Sequence, residues 1–303
     1  MNLASFRRRI KPWMLPIAMV GGVFFHDFIE KIAFLSPYLI FTMLLITFCR
    51  IDVGQLRFSR LSWWLLCLQI AGSIVVYLIT LPLGSTVAQA AFICAFCPVA
   101  TAAPVITGML GGNISQLATF SVLSNIAVAI LAPILFSIIG DQPQLSFVDS
   151  SLAICSKVLP MLLIPLLLAM LLRRATPKFH EAISSRQSVS FYIWSVALFI
   201  VVGKAVSFVM KEPSEKIPEI LLIAVCSGIV CCSQFFFGRK LGGLYGDKVM
   251  GGQGLGQKNT ILAVWLALTY LNPIASIGPA AYVFWQNTIN SWQLWRKARA
   301  NQI

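Results

Sequence analysis

Long apolar runs alternate with short polar segments along the whole chain. A helix of about 20 apolar residues crosses the hydrocarbon layer of a bilayer, and the runs are close to that length or longer. They lie at residues 12–29, 32–49, 61–82, 87–111, 114–139, 150–172, 188–210, 218–237, 240–271 and 273–293. The pattern predicts an all-α polytopic membrane protein with ten transmembrane helices, which we number span 1 to span 10.

Composition and charge agree with a membrane protein. Of the 303 residues, 58% are hydrophobic and 11% are charged, whereas about 25% of a soluble domain is charged, which excludes an ordinary soluble enzyme. Sixteen of the 23 Lys and Arg residues lie in connections on the side of the two termini, and three lie on the opposite side. The positive-inside rule then predicts cytoplasmic termini in the inner (plasma) membrane. The same rule explains the net charge of +13, so the basic residues indicate contact with membrane lipid and not with nucleic acid.

Spans 4 and 9 contain residues that interrupt a helix. Pro98 and Pro104 lie in span 4, and residues 251–256 of span 9 contain four glycines. Irregular backbone persists at membrane depth only where protein or a water-filled cavity covers it. We therefore expect two broken helices at an internal site; the alternative is a pair of incidental kinks.

The two breaks occupy corresponding places, the fourth span of each group of five. Because five is an odd number, the second group begins on the opposite side of the membrane from the first. This predicts two inverted repeats, residues 1–145 with spans 1–5 and residues 146–303 with spans 6–10. Paired interrupted spans of this kind indicate a transporter whose binding site lies near the midplane.

The two interrupted segments resemble motifs of a known family. Residues 97–107 read CPVATAAPVIT, with Gly112 and Asn113 after them, and residues 254–263 read GLGQKNTILA. They are similar to the patterns CPGGTASNVxT and ExGxQNxxLA in the fourth and ninth helices of the bile acid:sodium symporter family. The resemblance implies a panel domain of spans 1, 2, 6 and 7, and a core domain of spans 3–5 and 8–10. It also implies that spans 4 and 9 cross at their breaks and that organic anions are transported by alternating access.

The chain departs from the family where the family binds sodium. Ala103 and Pro104 stand in place of a serine and an asparagine, Gly254 in place of a glutamate, and Lys258 in place of a glutamine. Two further equivalents of the ion site, Gln69 and Ser121, keep polar side chains, as does Asn259 beside them. All ten acidic residues lie in connections or at span ends. We therefore expect no sodium site, no other metal and no cofactor.

Lys258 is the strongest candidate for a functional residue. A lysine facing lipid at the bilayer centre costs about 2.5–3.5 kcal/mol on insertion scales. It is therefore expected to face a cavity, with Gln257, Asn259 and the carbonyl groups of the glycine run as polar company. Its ammonium is then expected to stand where related proteins hold a sodium ion. The alternative is a lysine whose side chain extends to the membrane interface.

Substrate is expected beside the crossing of spans 4 and 9. The candidate substrate-binding residues are Thr101, Pro104, Thr107, Lys258 and Asn259. For the threonines and the asparagine, the alternative is hydrogen bonding between helices, which small polar residues commonly provide in membranes. Cys94 and Cys97 are interpreted as small buried residues rather than a redox or metal pair, because no second pair accompanies them.

These observations predict a sodium-independent secondary transporter of a small organic anion, with the proton as a candidate coupling ion if Lys258 releases its own. The chain has no nucleophile–base pair and no HExxH or phosphate-binding glycine motif, so we do not expect an enzyme. The alternatives are a sodium-coupled organic anion symporter, an intramembrane enzyme and a channel.

Overall fold

The protein is almost entirely helical. The computed structural model describes residues 14–49, 58–100, 103–140, 147–185, 187–211 and 213–300. Within these ranges, four helical stretches are long and apolar enough to cross a membrane: His26–Cys49, Arg60–Leu83, Ile114–Ile139 and Ser214–Leu244. The chain is thus an all-α protein with the long apolar helices of a membrane-embedded molecule, which confirms the predicted fold class at this level.

Fourteen α-helices are labelled here in chain order over the described residues. They are α1 (Met14–Phe24), α2 (His26–Ile32), α3 (Ser36–Cys49), α4 (Arg60–Thr80), α5 (Ser85–Phe96), α6 (Ala103–Leu110), α7 (Ile114–Ile139), α8 (Phe147–Ala175), α9 (Pro177–Ser184), α10 (Gln187–Lys211), α11 (Ile217–Leu244), α12 (Lys248–Gly256), α13 (Thr260–Tyr270) and α14 (Ile277–Ala300). Short 3₁₀ turns lie at Ala33–Leu35, Leu81–Leu83, Ser214–Lys216 and Pro273–Ser276.

The helix boundaries follow the apolar runs, with two corrections. The segment predicted as span 1 is divided, because α1 ends at Phe24 and α2 begins at His26. Span 9 was predicted to begin at residue 240, but α11 continues to Leu244 and the next helix begins only at Lys248. The turn between them contains Gly246, whose φ of 83° is readily adopted by glycine and rarely by other residues.

The helices pack in two groups that touch each other. In one group, α10 packs against α1, α2 and α3, and α3 packs against α8. In the other, α11 packs against α5, α12 and α14, and α4 packs against α5. Contacts between α7 and α8 join the two groups. Both broken segments, α5–α6 and α12–α13, have their first halves in the second group.

Glycines allow α11 and α12 to approach each other closely. A Cβ atom added to Gly251 would collide with the carbonyl oxygen of Gly238, and one added to Gly238 would collide with the carbonyl oxygen of Gly251. Small residues permit such close backbone approach between membrane helices. The glycines of this pair are therefore packing residues, whereas Gly246 lies in the turn that follows α11.

The Gly251→Ala variant is expected to lose about 1–3 kcal/mol of stability, the usual range for overpacking. The measurement is the thermal unfolding midpoint of the purified protein in detergent. Gly72→Ala is the matched control, because a Cβ there would meet Leu68 Cδ1 at an ordinary 3.9 Å. Alanine favours helix over glycine, so this control should keep or raise the midpoint. Equal midpoints for the two variants would contradict the packing role.

At each end of the helices, a hydrogen bond joins a connection to the start of a broken segment. At one end, which we call the cavity end and define by residues 111–113 and 243–249, the backbone N–H of Asn113 donates to Asp247 Oδ2 at 2.7 Å. At the opposite end, the backbone N–H of Asn272 donates to Gln89 Oε1 at 2.7 Å.

Candidate functional site

The two broken segments cross each other at an isolated antiparallel β-bridge. α5 ends at Phe96 and α6 begins at Ala103, while α12 ends at Gly256 and α13 begins at Thr260. Between them, the N–H of Ala100 donates to the Gln257 carbonyl at 3.0 Å. The N–H of Asn259 donates to the Pro98 carbonyl at 2.8 Å, and Val99 pairs with Lys258 in an antiparallel bridge. The backbone groups freed by each break thus find partners in the other break.

Side chains from neighbouring helices bind the carbonyl groups that α5 leaves free at its end. Gln69 of α4 is fully buried, and its Nε2 donates to the Phe96 carbonyl at 2.7 Å and to the Cys97 carbonyl at 3.1 Å. Its Oε1 accepts a hydrogen bond from Ser124 Oγ of α7 at 2.9 Å. The amide of Gln69 therefore stabilises the break in span 4, because it binds two carbonyl groups of the break and is itself bound by Ser124.

The break in span 9 is held by two side chains of α14. The Tyr282 hydroxyl donates to the Gly256 carbonyl at 2.9 Å. One turn further along α14, Gln286 Oε1 accepts a hydrogen bond from the backbone N–H of Lys258 at 3.0 Å. Both side chains are buried. Each break is therefore stabilised by hydrogen bonds from polar side chains of adjacent helices.

Two helix N-termini lie at the crossing. α6 begins at Ala103, directly after the first break, and α13 begins at Thr260, directly after the second. Asn259 caps α13, since its Oδ1 accepts from the Leu262 N–H at 3.2 Å. A helix N-terminus carries a partial positive charge and favours an anion nearby. The C-termini of α5 and α12 lie at the same crossing and carry partial negative charge, so the full charge there is that of the Lys258 ammonium.

Lys258 is buried at the crossing, as predicted, with 1% of its surface exposed. Its Nζ has no hydrogen-bond partner among the described residues. The thiols of Cys94, Cys97 and Cys231 lie close enough to interact with it electrostatically, and thiols are weak hydrogen-bonding groups. Gln257, Asn259 and the freed carbonyl groups, which were predicted as its polar company, make no hydrogen bond to Nζ among the described residues.

Ala103 and Gly254, which the sequence comparison aligned with an ion site, lie against apolar side chains. Ala103 is fully buried in a cluster with Leu117 and Phe120. A Cβ atom on Gly254 would lie 3.1 Å from Phe120 Cδ1 and 3.5 Å from Leu117 Cδ1. Ser121 is buried, and its carbonyl accepts from Asn125 Nδ2 at 2.8 Å. Carbon atoms thus occupy the neighbourhood in which a hard cation would need oxygen ligands.

The predicted substrate-binding residues divide into three groups. Lys258 and Asn259 lie in the second break itself, and Pro104 lies half-buried in the first turn of α6. Thr107 is buried further along α6 and lies towards the cavity end, because a Cβ on Gly112 would meet its Cγ2 at 2.8 Å. Thr101 lies outside the described residues.

The sequence interpretation missed the polar face of α14. Besides Tyr282 and Gln286, this helix buries Asn290 and Gln293. Gln253 Nε2 of α12 donates to Asn290 Oδ1 at 3.1 Å and to Gln293 Oε1 at 3.2 Å. The signal was present in the sequence, because polar residues spaced by three or four positions share one face of a helix.

A cavity of about 550 Å³ opens at the cavity end. Its walls are Gly111, Gly112, Asn113, Gly243, Gly246, Asp247, Lys248 and Val249. Lys297 of α14 lies beside it, since its Nζ donates to the Met109 carbonyl at 3.1 Å and lies 3.0 Å from where a Cβ on Gly111 would be.

Comparison with protein-family models and with curated proteins found no match to the chain.

Proposed function

We propose that the protein is a secondary transporter that moves a small organic anion across the inner (plasma) membrane by alternating access. In this proposal it is a divergent member of the bile acid:sodium symporter family, with ten membrane helices in two inverted repeats and both termini in the cytoplasm. The buried ammonium of Lys258, which has no hydrogen-bond partner among the described residues at the crossing of two broken helices, carries the proposal.

The electrostatics of the crossing favour an anionic substrate. A buried charge is costly unless another charge or hydrogen-bonding groups compensate it. Lys258 contributes a full positive charge at the crossing, where two helix N-termini and two helix C-termini offset each other. The acidic residues of the chain lie in the connections or near helix ends. A carboxylate or sulfonate bound beside Lys258 supplies the missing negative charge. We infer that the substrate brings this charge.

Two matching contacts between the halves support the inverted repeat. In the first, the N–H of Asn113 before α7 donates to Asp247 at the start of the broken span 9. In the second, the N–H of Asn272 before α14 donates to Gln89 near the start of the broken span 4. These contacts exchange the roles of spans 4 and 5 with those of spans 9 and 10. Such an exchange is what a two-fold axis in the membrane plane would produce.

The substrate class is tested with purified protein and a panel of small organic anions. Keto acids, steroid acids and sulfonates are compared with uncharged analogues of the same skeleton in thermal unfolding. A ligand at one hundred times its Kd stabilises the folded state by about 2.7 kcal/mol, so a bound anion should raise the midpoint by several degrees. We expect this for at least one anion and for none of the uncharged analogues.

Transport is then measured as uptake of the stabilising anion into proteoliposomes. We expect saturable uptake and no unitary currents in planar bilayers. Unitary currents would favour the channel alternative. Stabilisation by uncharged compounds or cations alone would contradict an anion site at Lys258.

A further inference from the structure

α14 turns apolar side chains outward and polar ones inward, as expected for a helix between lipid and a polar protein interior. From Phe284 onwards, the side chains that it buries are the amides of Gln286, Asn290 and Gln293. Its exposed face carries large apolar groups, with Phe284 59% exposed and Trp292 54% exposed. Amide side chains on the inner face of a membrane helix bond neighbouring helices or line a water-filled pathway.

These side chains form a continuous stripe along α14. The stripe consists of Tyr282, Gln286, Asn290, Gln293 and Lys297, at spacings of three or four residues that keep them on one face. At one end, Gln286 binds the backbone of Lys258. At the other, Lys297 lies beside the cavity at residues 111–113. Eleven residues of helix separate Gln286 from Lys297, which corresponds to about 16 Å.

Buried polar atoms along the stripe lack protein partners. Lys258 Nζ, Gln253 Oε1 and Asn290 Nδ2 are buried, and none has a hydrogen bond to the described residues. Buried polar atoms in folded proteins nearly always have a partner, and ordered water is the partner where protein supplies none. Two of these atoms belong to side chains that bond each other, because Gln253 bonds both Asn290 and Gln293. The third belongs to Lys258, whose backbone N–H bonds Gln286 on the same face of α14.

We propose that the α14 stripe binds a chain of ordered waters that connects Lys258 to the cavity end and carries protons between its amine and the aqueous phase there. Each transfer moves one proton from the ammonium to the adjacent water, and one proton leaves the last water for bulk solvent. The reverse sequence restores the ammonium. The route of water stands on its own geometry, and its use in coupling rests on the proposed function.

The other titratable groups around the amine are three thiols and one phenol, which are uncharged when protonated. They are Cys94 and Cys97 at the end of α5, Cys231 on α11, and Tyr282 on α14. None of them is a carboxylate, so none is a ready acceptor for the Lys258 proton. Water is the acceptor that remains, and the stripe is where the unpaired polar atoms would hold it.

The water route is tested by X-ray radiolysis followed by mass spectrometry. The full-length protein in nanodiscs is mixed with H₂¹⁸O shortly before the pulse, which converts nearby water into hydroxyl radicals. Tyr282 is fully buried, so ¹⁸O incorporation there reports internal water that exchanges with bulk. We expect labelling of Tyr282 in the wild type and at least a tenfold loss in Asn290→Leu, because leucine removes the polar contacts at the middle of the stripe.

Asn287→Leu is the matched control, because Asn287 lies off the stripe and bonds only the preceding turn at Val283. It should retain the labelling of Tyr282. Gln293→Leu repeats the test should Asn290→Leu fail to fold. An unlabelled Tyr282 in the wild type, beside labelled exposed tyrosines such as Tyr38, overturns the proposal. Labelling of Tyr282 in Asn290→Leu and Gln293→Leu that equals the wild-type labelling overturns it as well.

Proton transfer is measured separately, with a pH-sensitive dye inside proteoliposomes during anion uptake. Proton movement should accompany uptake in the wild type and in Asn287→Leu, and fall at least tenfold in Asn290→Leu. Anion uptake without proton movement in the wild type overturns the coupling role. Radiolysis needs no substrate, so labelled Tyr282 without any anion transport contradicts only the proposed function.

Discussion

Replacing Lys258 with methionine is expected to lower the initial rate of anion uptake at least a hundredfold. Two charges 4 Å apart interact by about 4 kcal/mol at an effective dielectric of 20, and each 1.4 kcal/mol is about tenfold in an equilibrium. Loss of most of this attraction gives a hundredfold effect or more. The measurement is uptake into proteoliposomes, together with the thermal unfolding midpoint of the same preparation.

Uptake should fall in Lys258→Met, whereas the unfolding midpoint should not. Because Lys258 Nζ has no hydrogen-bond partner among the described residues, methionine breaks no side-chain contact and removes a buried charge. The unfolding midpoint should therefore stay the same or rise. Lys240→Met is the matched control, since Lys240 is exposed on α11, and its uptake should stay within twofold of the wild type. Uptake that survives Lys258→Met would place the anion site elsewhere.

The helices and their breaks were the features most open to prediction from sequence. Apolar length alone identifies α4, α7 and α10, because a membrane helix satisfies its own backbone and depends little on distant residues. Pro98 marks the first break, since proline has no N–H to donate within a helix. The start of span 9 was predicted wrongly because glycine serves two purposes. Gly242 packs within α11, whereas Gly246 ends the turn that follows it.

The surroundings of Lys258 were beyond the sequence. Its burial was predicted from the cost of a charge in lipid, and the structure confirms it. Its neighbours depend on how α5, α11 and α14 are rotated about their axes, and hydropathy does not report that rotation. Gln69 and Tyr282 reach the breaks from helices far away in the chain. The amides of α14 were visible in sequence, but their inward direction emerged only from the packing.

Sodium is expected not to accelerate uptake, so initial rates in sodium and choline buffers should agree within a factor of two. A cation that couples transport binds and leaves within each cycle, whereas the Lys258 ammonium is tethered. Na⁺ at 4 Å from this ammonium would be repelled by about 4 kcal/mol at a dielectric of 20. This corresponds to roughly a thousandfold in occupancy, which the few neutral oxygens nearby are unable to recover.

The Lys258→Gln variant sharpens this prediction, because it removes the repulsion and restores the amide found in the family pattern. Sodium coupling should still be absent, since Ala103 packs against Phe120 and Leu117, and the Phe120 ring stands 3.1 Å from where a side chain on Gly254 would begin. A hard cation needs about six oxygen ligands, and these positions offer carbon.

Uptake is compared in sodium and choline buffers for the wild type and for Lys258→Gln, with an inert-salt series as the control for ionic strength. A steep sodium dependence in the wild type that persists in Lys258→Gln would falsify the replacement of the ion by Lys258. Sodium dependence that arises only in Lys258→Gln would mean that charge alone, and not the apolar surroundings of Gly254, excludes the ion.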